Sequence, residues 1–507
     1  MIGWTQRLSR AAAAFGAVVL VSGCAVGPSF RHPAEPALAS YARTSLSEKT
    51  TSVEITGGEE QRLVPDRDLP ADWWTLFGSP SLNALIVKAL DASPTLAGVE
   101  ASVRQARELY FAGQGAFYPT IAASYSPSRQ KASGALSPPL STSELSFDLH
   151  TTQGALSYAL DVFGGTRRQV ESLRATAEGQ RFLFEAAYLT LTSSLVSAAI
   201  QEALLRAQIA ATHEIIDISA SSLALFRRQF ELGAVTRLDV AAQEAALAQV
   251  QLTLPPLQKQ LEQTRDLLAA LSGRFPSDEP EETFELTSLR LPQDLPVSLP
   301  STLVARRLDV RAAEAQLHAA SAQIGVALAA RLPQFSITAT AGGTSTLFTQ
   351  MFASGNPYWA VAATVAQTLF DGGTRLHQQR AAEAAYEQSA AQYRATVIAA
   401  FQSVADALHA LLTDAETLKA AVAAEQATKT TLDITTEAQR LGAANYLAVL
   451  SAQQAYRQAL LTRVQTQAAR LSDTVVLFQA LGGGWWNGRE LDNARARASA
   501  GPPKRQR

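Results

Sequence analysis

Three long stretches of the chain are almost free of helix-breaking residues. Thr374 to Leu441 and Ala443 to Leu481 contain neither glycine nor proline, and Thr166 to Leu232 contains only Gly179. Helices of globular domains usually run ~8 to 20 residues, and longer ones belong to coiled coils, repeats or membrane spans. Polar residues recur throughout and argue against a membrane span. The pattern predicts alanine-rich helices of up to roughly 100 Å that pack side by side.

Short motifs beside these stretches occur twice and in the same order. Gly-Gly-Thr-Arg stands at 164–167 and again at 372–375, and Leu-Gly-Ala at 232–234 and again at 441–443. Upstream, Tyr118-Pro119 corresponds to Leu332-Pro333. Three ordered matches at a nearly constant offset predict an internal two-fold repeat. Each copy contains helices, two extended segments, a Gly-Gly turn, a long helix, a glycine turn and a returning helix.

The extended segments alternate bulky apolar residues with small or polar ones. Leu156, Tyr158 and Leu160 alternate with Ser157 and Ala159, and the segments 335–340 and 358–369 have the same period. A period of two over ~10 residues is typical of transmembrane β-strands, but also of a half-buried strand in a soluble sheet. Four strands are too few to close a barrel, which needs ~8. An open sheet edge in lipid leaves backbone groups unpaired. If the strands lie in a membrane, several protomers must therefore share one barrel.

The composition narrows the possible functions. The 507 residues are 47% hydrophobic and 17% charged, with 43 basic and 45 acidic side chains. This near-neutral balance argues against a nucleic-acid-binding protein, which would carry a basic face. The single cysteine excludes an intramolecular disulfide and a multi-thiolate metal site. We expect neither a cofactor nor a metal ion.

The lone cysteine ends a segment that reads as an export signal. Arg7 and Arg10 precede the apolar run Ala11 to Val21, which has the length of a signal-peptide core and is too short for a spanning helix. The following Val21 to Cys24 resembles the bacterial lipobox, in which the cysteine is acylated and becomes the first residue. Ala25 resembles the residue found there in lipoproteins sorted to the outer membrane. The alternative is a buried free cysteine, since cysteine also packs as a small hydrophobe.

Together these features resemble the outer-membrane efflux family of the TolC and OprM type, and within it the NodT-like lipoprotein branch. The resemblance extends over essentially the whole mature chain. Its further markers are Trp73 to Phe77, Leu160 to Gly164, Gly233 to Gln243, Leu369 to Gly373 and Leu477 to Trp485. It implies a mainly α fold with a transmembrane β-barrel. In this family three protomers give four strands each to a 12-stranded barrel, and their helices form a long periplasmic tube.

The resemblance also implies a function and partners. The chain would be the passive exit duct of a tripartite system that exports small molecules such as drugs or toxic compounds. Its partners would be two further copies in a homotrimer, a periplasmic adaptor protein, an inner-membrane transporter of the resistance-nodulation-division type and outer-membrane lipid. We expect the adaptor to dock at helical turns that include Gly233, Arg237, Asp239, Gly442 and Asn445.

A periplasmic gate is expected near the second of these turns. Leu447 matches a pore-narrowing leucine of the OprM type, and Ser451 stands where that type has an aspartate. Positions i and i+4 share a helix face, so both side chains can line the pore. A serine ring predicts weaker cation discrimination than a carboxylate ring. The alternative is that both residues only pack within the helical tube.

A lipoprotein of this kind could also be an enzyme or a non-transport scaffold. The six histidines do not show the HExxH spacing of a zinc enzyme, and His213, followed by Glu214 and Asp217, comes nearest. We find no Gly-x-Ser-x-Gly elbow and no phosphate-binding loop, so an enzyme is not expected. A non-transport scaffolding lipoprotein with long coiled-coil helices remains, but it would need neither alternating strands nor a two-fold repeat.

The expected organisation has five parts. Residues 1–23 form the signal peptide and 24–80 a lipid-anchored tether. Residues 81–290 form the first repeat, with a β-hairpin at about 118–163. Residues 291–484 form the second repeat, with a hairpin at about 333–370, and 485–507 a flexible tail.

Overall fold

The structure is a computed structural model that describes residues 25–34, 36, 40–41, 47–65, 67–131, 146–278, 281–297 and 300–487. Cys24 and the predicted signal peptide lie outside the described residues. The chain divides into two compact units. The first unit consists of Met1–Pro33, Val103–Gln180 and Ala313–Tyr393, and the second of Ala34–Ser102, Arg181–Ala312 and Arg394–Arg507.

Helices dominate both units. Those of the described residues are α1 (Pro80–Ala92), α2 (Pro94–Gln114), α3 (Gly165–Glu231), α4 (Arg237–Leu271), α5 (Pro300–Arg306), α6 (Leu308–Ala329), α7 (Thr374–Arg440) and α8 (Tyr446–Ala480). Helices α3 and α7 have 67 residues each, and α4 and α8 have 35 each. At ~1.5 Å per residue the two longest extend over about 100 Å. The bounds of α3 and α7 agree within one residue with those of the stretches Thr166 to Leu232 and Thr374 to Leu441.

Helices α3 and α7 also qualify as membrane-spanning candidates by length and composition. Each contains an 18-residue window with few charges, with a mean hydropathy of 1.4 in α3 and 1.5 in α7. Such windows arise because alanine-rich runs lie between the recurring polar residues. Half of the α3 window and 28% of the α7 window are buried inside the protein.

Six strands lie in the described part of the chain. Strand β1 (Arg62–Pro65) pairs in parallel with β4 (Asp294–Val297). Strands β2 (Thr120–Lys131), β3 (Ser146–Leu160), β5 (Gln334–Ser345) and β6 (Pro357–Ala366) form an antiparallel sheet in the order β2-β3-β5-β6. This sheet belongs to the first unit and leaves β2 and β6 as its edge strands.

The repeated Gly-Gly-Thr-Arg motif marks the start of each 67-residue helix. The Asp161 carboxylate accepts hydrogen bonds from the backbone N–H groups of Thr166 and Arg167, both at 2.9 Å. Asp371 accepts from the N–H of Gly373 at 2.9 Å and of Arg375 at 3.2 Å. The first N–H groups of a helix lack partners within it, and a carboxylate there also complements the helix dipole. The two aspartates therefore cap the long helices, a role that sequence reasoning missed.

The main core of the second unit includes residues that the sequence assigned to a tether. Trp73 and Phe77 are fully buried, and both rings contact Phe478 of α8, with centroids 5.7 and 6.4 Å away. Gly57 and Glu59 lie before Trp73 in the chain, and their backbone carbonyls accept hydrogen bonds from the buried Arg470 of α8. The described residues of 47–80 therefore pack in the core and form hydrogen bonds with distant parts of the chain, in addition to linking the N-terminal segment to α1. The polar composition of this segment did not predict its contacts, because the residues that it contacts lie more than 200 positions away in the chain.

The predicted tail also needs correction at its start. Trp485 to Asn487 form a 3-10 turn, and the Trp485 indole donates to the Arg306 carbonyl at 2.7 Å. The Arg306 guanidinium lies 4.6 Å from the Trp486 ring centroid, within the range of a cation–π contact. Ordered structure therefore continues to residue 487, and residues 488–507 lie outside the described part.

Candidate functional site

The four-stranded sheet has two chemically different faces. Side chains alternate along a strand and paired residues share a face, so the register assigns every position. Leu156 pairs with Ile121 and Ala339, and Ala339 pairs with Val361. One face therefore collects the bulky apolar side chains, which are Ile121, Tyr125, Leu156, Tyr158, Leu160, Phe335, Ile337, Trp359, Val361 and Val365. The opposite face carries mostly alanine, serine, threonine and glutamine.

The bulky face is open to the surroundings of the protomer. Trp359 is 77% exposed and Ile121 78% exposed, which is unusual for large apolar residues in a soluble sheet. The alternation therefore does not come from packing on a soluble core, as the alternative interpretation required. Strand β2 and strand β6 each have one unpaired edge among the described residues. If such a sheet lies in lipid, its unpaired edges must pair with further strands.

Two glycine turns, both in the second unit, join the long helices. Gly233, between α3 and α4, has a φ of 70°, and Gly442, between α7 and α8, has a φ of 76°. Nothing lies within 4 Å of where a Cβ would stand at either residue. Glycine is required there by the left-handed backbone and not by crowding. Both turns are exposed and present Leu232 and Leu441 beside the glycines.

The predicted docking residues have local structural roles at these turns. The Asp239 carboxylate accepts from the backbone N–H and the hydroxyl of Thr236, both at 2.7 Å, and the Thr236 hydroxyl accepts from the Asp239 N–H at 3.3 Å, which completes a capping box at the start of α4. These hydrogen bonds hold the pKa of Asp239 below its usual value. Asn445 caps α8 by accepting from the Ala448 N–H at 3.0 Å. Arg237 is exposed, so it is the charged side chain of the set that remains most accessible to a partner.

The predicted gate residues share one exposed face of α8. Leu447 is 58% exposed and Ser451 is exposed, whereas Val449 between them and Ala452 after Ser451 are buried. The i, i+4 spacing thus places both side chains on the side of α8 that faces away from the core of the protomer. This geometry is compatible with a pore lining.

Buried amides join the helix pair α3–α4 to the pair α7–α8. Gln453 donates to the Ser222 hydroxyl at 2.7 Å, and Gln439 donates to the side-chain amide oxygen of Gln229 at 2.8 Å. Gln243 is fully buried and donates to Gln453 at 3.4 Å. Buried polar groups are costly unless paired, so these contacts hold the two helix pairs in a specific register. The sequence does not distinguish these glutamines, because polar residues recur throughout the long helices.

A carboxylate pair lies between α7 and α8. Burial and the neighbouring Asp414 raise the pKa of Asp473 to about 7. Asp414 also acts electrostatically on the buried Arg470. Asp473 therefore changes charge near neutral pH. No group of three or more metal-binding side chains occurs among the described residues. Glu214, the neighbour of His213, is engaged by the Tyr456 hydroxyl at 2.7 Å.

Comparison with known proteins decides between a channel and a scaffold. Residues 85–274 and 299–483 match the family described as outer membrane efflux protein. The chain belongs to this family. It is therefore an outer-membrane exit duct for efflux, and its family consists of channels, not enzymes. The family assignment covers both of the predicted repeats.

Relatives and solved structures agree with this assignment. The chain is 31% identical to the pyoverdine export outer membrane protein OpmQ of Pseudomonas putida, over 82% of this chain and 88% of that protein. It is 27% identical to the toluene efflux pump outer membrane protein TtgC of the same species, over 98% and 99%. The outer-membrane channel OprN matches with a TM-score of 0.80 and 26% identity, over 91% of this chain and 100% of that one. VceC of Vibrio cholerae matches at 0.76 and 26%, over 82% and 99%.

Proposed function

We propose that three copies of this chain form one exit duct in the outer membrane. Each protomer contributes its four strands to a 12-stranded barrel, and the helices extend as a tube into the periplasm. The observation that carries this proposal is the sheet, with its bulky apolar face and its two unpaired edge strands. Four strands are too few to close a barrel and an open edge is not stable in lipid, so closure requires further copies.

Equal element lengths support an internal two-fold repeat. Helices α3 and α7 have the same number of residues, as do α4 and α8. Each 67-residue helix follows an aspartate-capped Gly-Gly turn, and each 35-residue helix begins with a polar N-cap, Thr236 or Asn445. Two similar halves in each of three protomers would give a tube wall of six similar helix pairs.

The duct works with two partners that supply cargo and energy. A periplasmic adaptor docks at the turns around Gly233 to Asp239 and Gly442 to Leu447, and an inner-membrane transporter of the resistance-nodulation-division type delivers the substrate. Relatives named for pyoverdine and toluene export favour small organic molecules as cargo. Cys24 carries the lipid anchor, and Leu447 and Ser451 narrow the periplasmic end.

Bilayer recordings and gel migration test the duct directly. The purified full chain should migrate as a heat-sensitive trimer and should produce channels of uniform conductance in planar bilayers. A scaffolding lipoprotein would show neither behaviour. Deletion of the gene in the presence of its complete pump should increase susceptibility to toxic compounds. Unchanged susceptibility across a wide panel of compounds would count against an efflux role.

A further inference from the structure

The β5–β6 segment, residues 346–356, folds back over the four-stranded sheet at the end where β5 leads to β6. It contains a 3-10 turn, Phe348–Gln350. The Thr152 hydroxyl of β3 donates to the Met351 sulfur at 3.4 Å, and Met351 is buried. A Cβ at Gly343 of β5 would stand 2.2 Å from the Met351 carbonyl oxygen. The segment is therefore seated directly on the two central strands.

The face that the β5–β6 segment covers is the bulky apolar one. Tyr125 pairs with Thr152, and Thr152 pairs with Gly343, so the three lie on the same face of the sheet. The Phe348 ring stands edge-on to the rings of Tyr125 and His150, with centroids 5.6 and 6.1 Å away. The segment thus adds its own side chains to the apolar face.

The outward surface of the β5–β6 segment is apolar and uncharged. Residues 346–356 contain no charged side chain. Leu347, Phe348 and Phe352 are between 54% and 65% exposed. Large apolar side chains that are exposed together, in continuity with the exposed face of the sheet, indicate a surface that meets lipid or another molecule.

The height of the β5–β6 segment on the sheet fits the boundary of a hydrocarbon layer. From Phe335 to Gly343, β5 rises about 27 Å at ~3.4 Å per residue, which a strand tilt of ~40° reduces to a height of roughly 21 Å. The apolar band of a membrane barrel is about 25 Å tall, so the segment extends the band to this height. Further along the same face, Arg129 and Asp148 form an exposed ion pair at 3.8 Å. Charged side chains therefore begin on this face beyond the covered region.

We propose that Leu347, Phe348 and Phe352 insert into the outer leaflet and anchor this end of the barrel at the boundary between acyl chains and headgroups. The inference rests on the proposed barrel and adds the lipid contact of the β5–β6 segment. The opposite ends of the strands lead into the periplasmic helices, so the segment lies at the outer side. Aromatic rings are enriched at this boundary. Tyr125 and His150 beside Phe348 provide polar atoms there, with Oη and Nδ1 2.9 Å apart.

A spin label shows whether the β5–β6 segment lies in lipid, in water or against protein. The full chain with Phe352→Cys is labelled with a nitroxide and reconstituted in phosphatidylcholine vesicles. Electron paramagnetic resonance then measures its collisions with oxygen, which concentrates in hydrocarbon, and with a water-soluble nickel complex. Val361→Cys and Ala362→Cys report on the bulky and the small face of β6. Wild-type chain labelled in parallel gives the background. We expect the oxygen-to-nickel ratio at 352 to lie several-fold above that at 362.

The other outcomes are distinct from one another. A ratio at Phe352→Cys equal to that at Ala362→Cys would place the segment in water, and few collisions with either reagent would place it against a second copy. Either result would overturn the proposal. A failure of the barrel itself is recognised separately, because the label at Val361→Cys would then show no preference for oxygen.

Two matched variants test whether the seat on the sheet holds the β5–β6 segment in lipid. Gly343→Val places a side chain against the Met351 carbonyl, so the label at 352 should lose its oxygen preference while the label at 361 keeps it. Ala341→Val adds the same side chain at an exposed position two residues away on the same face and should change neither. An unchanged ratio at 352 in Gly343→Val would show that the sheet does not hold the segment, and would overturn that part of the proposal.

Discussion

Ser451 places a neutral hydroxyl on the exposed face of α8, one helical turn beyond Leu447. If this face lines the pore, Ser451→Asp adds three carboxylates to the constriction of a trimer. Cation over anion preference should then rise several-fold, because carboxylate rings favour cations. Reversal potentials under a salt gradient measure the change. Ser451→Asn has a similar size and no charge and should behave like the wild type. Equal selectivity in all three proteins would place Ser451 outside the pore.

The titration of Asp473 makes the stability of the α7–α8 contact depend on pH. Its pKa is raised to about 7 by burial and by Asp414, whereas in the unfolded chain it is near 4. Between these values the folded state binds more protons than the unfolded state, so stability falls as pH rises through this window. The thermal midpoint of the helical signal should therefore decrease from pH 5 to pH 8.

Asp473→Asn should flatten this dependence and raise the midpoint at pH 8. The same substitution at the exposed Asp406 serves as the control and should leave the slope of the wild type intact. Circular dichroism of the detergent-solubilised protein measures both. An unaltered slope in Asp473→Asn would show that other groups control the response to pH.

At the scale of elements, buried amides set the register between the two helix pairs of a protomer. Gln439→Ala together with Gln453→Ala removes the contacts to Gln229 and Ser222. If opening requires one pair to move against the other, a shift between packed states, the double variant should open more readily. We expect a higher mean conductance in planar bilayers and a lower thermal midpoint.

The control for this variant is a glutamine whose contact stays within one helix. Gln458 is exposed and donates to Thr462 on the next turn of α8. Gln458→Ala should therefore leave conductance unchanged. If the double variant and this control conduct alike, the buried amides stabilise the fold without restraining its opening.

Periodicity and breaker residues predicted the elements well wherever the signal was local. The absence of glycine and proline located α7, and alternation located the strands. One exception is α4, which continues through Pro255 and Pro256, although proline usually kinks or ends a helix. Contacts between residues distant in the sequence were not predicted, because neither the β1–β4 pairing nor the burial of Trp73 follows from neighbouring residues. The glycine turns were found from the sequence, but the capping role of Asp239 required the structure.

At the scale of the whole molecule, the proposed trimer requires the free edge of β6 to pair with a neighbouring copy. The Thr344 N–H donates to the Asn356 carbonyl, and hydrogen-bonded pairs alternate along an antiparallel ladder. By the register, Thr338 and Ala362 are such a pair, whereas Ala363 directs its N–H to the free edge. Pro357 has the same parity, so its missing N–H also falls on that edge.

Ala363→Pro therefore removes one donor from the edge without breaking the pairing with β5. Proline is tolerated on an edge strand when its N–H side is free, so the helices should still form. A 12-stranded barrel needs that edge to pair with a neighbouring copy, and the variant should lose most of its heat-sensitive trimer while keeping wild-type helical content. Ala363→Val retains the donor and the apolar face and should assemble normally. A fully assembled Ala363→Pro trimer would show that β6 does not pair between protomers at this residue.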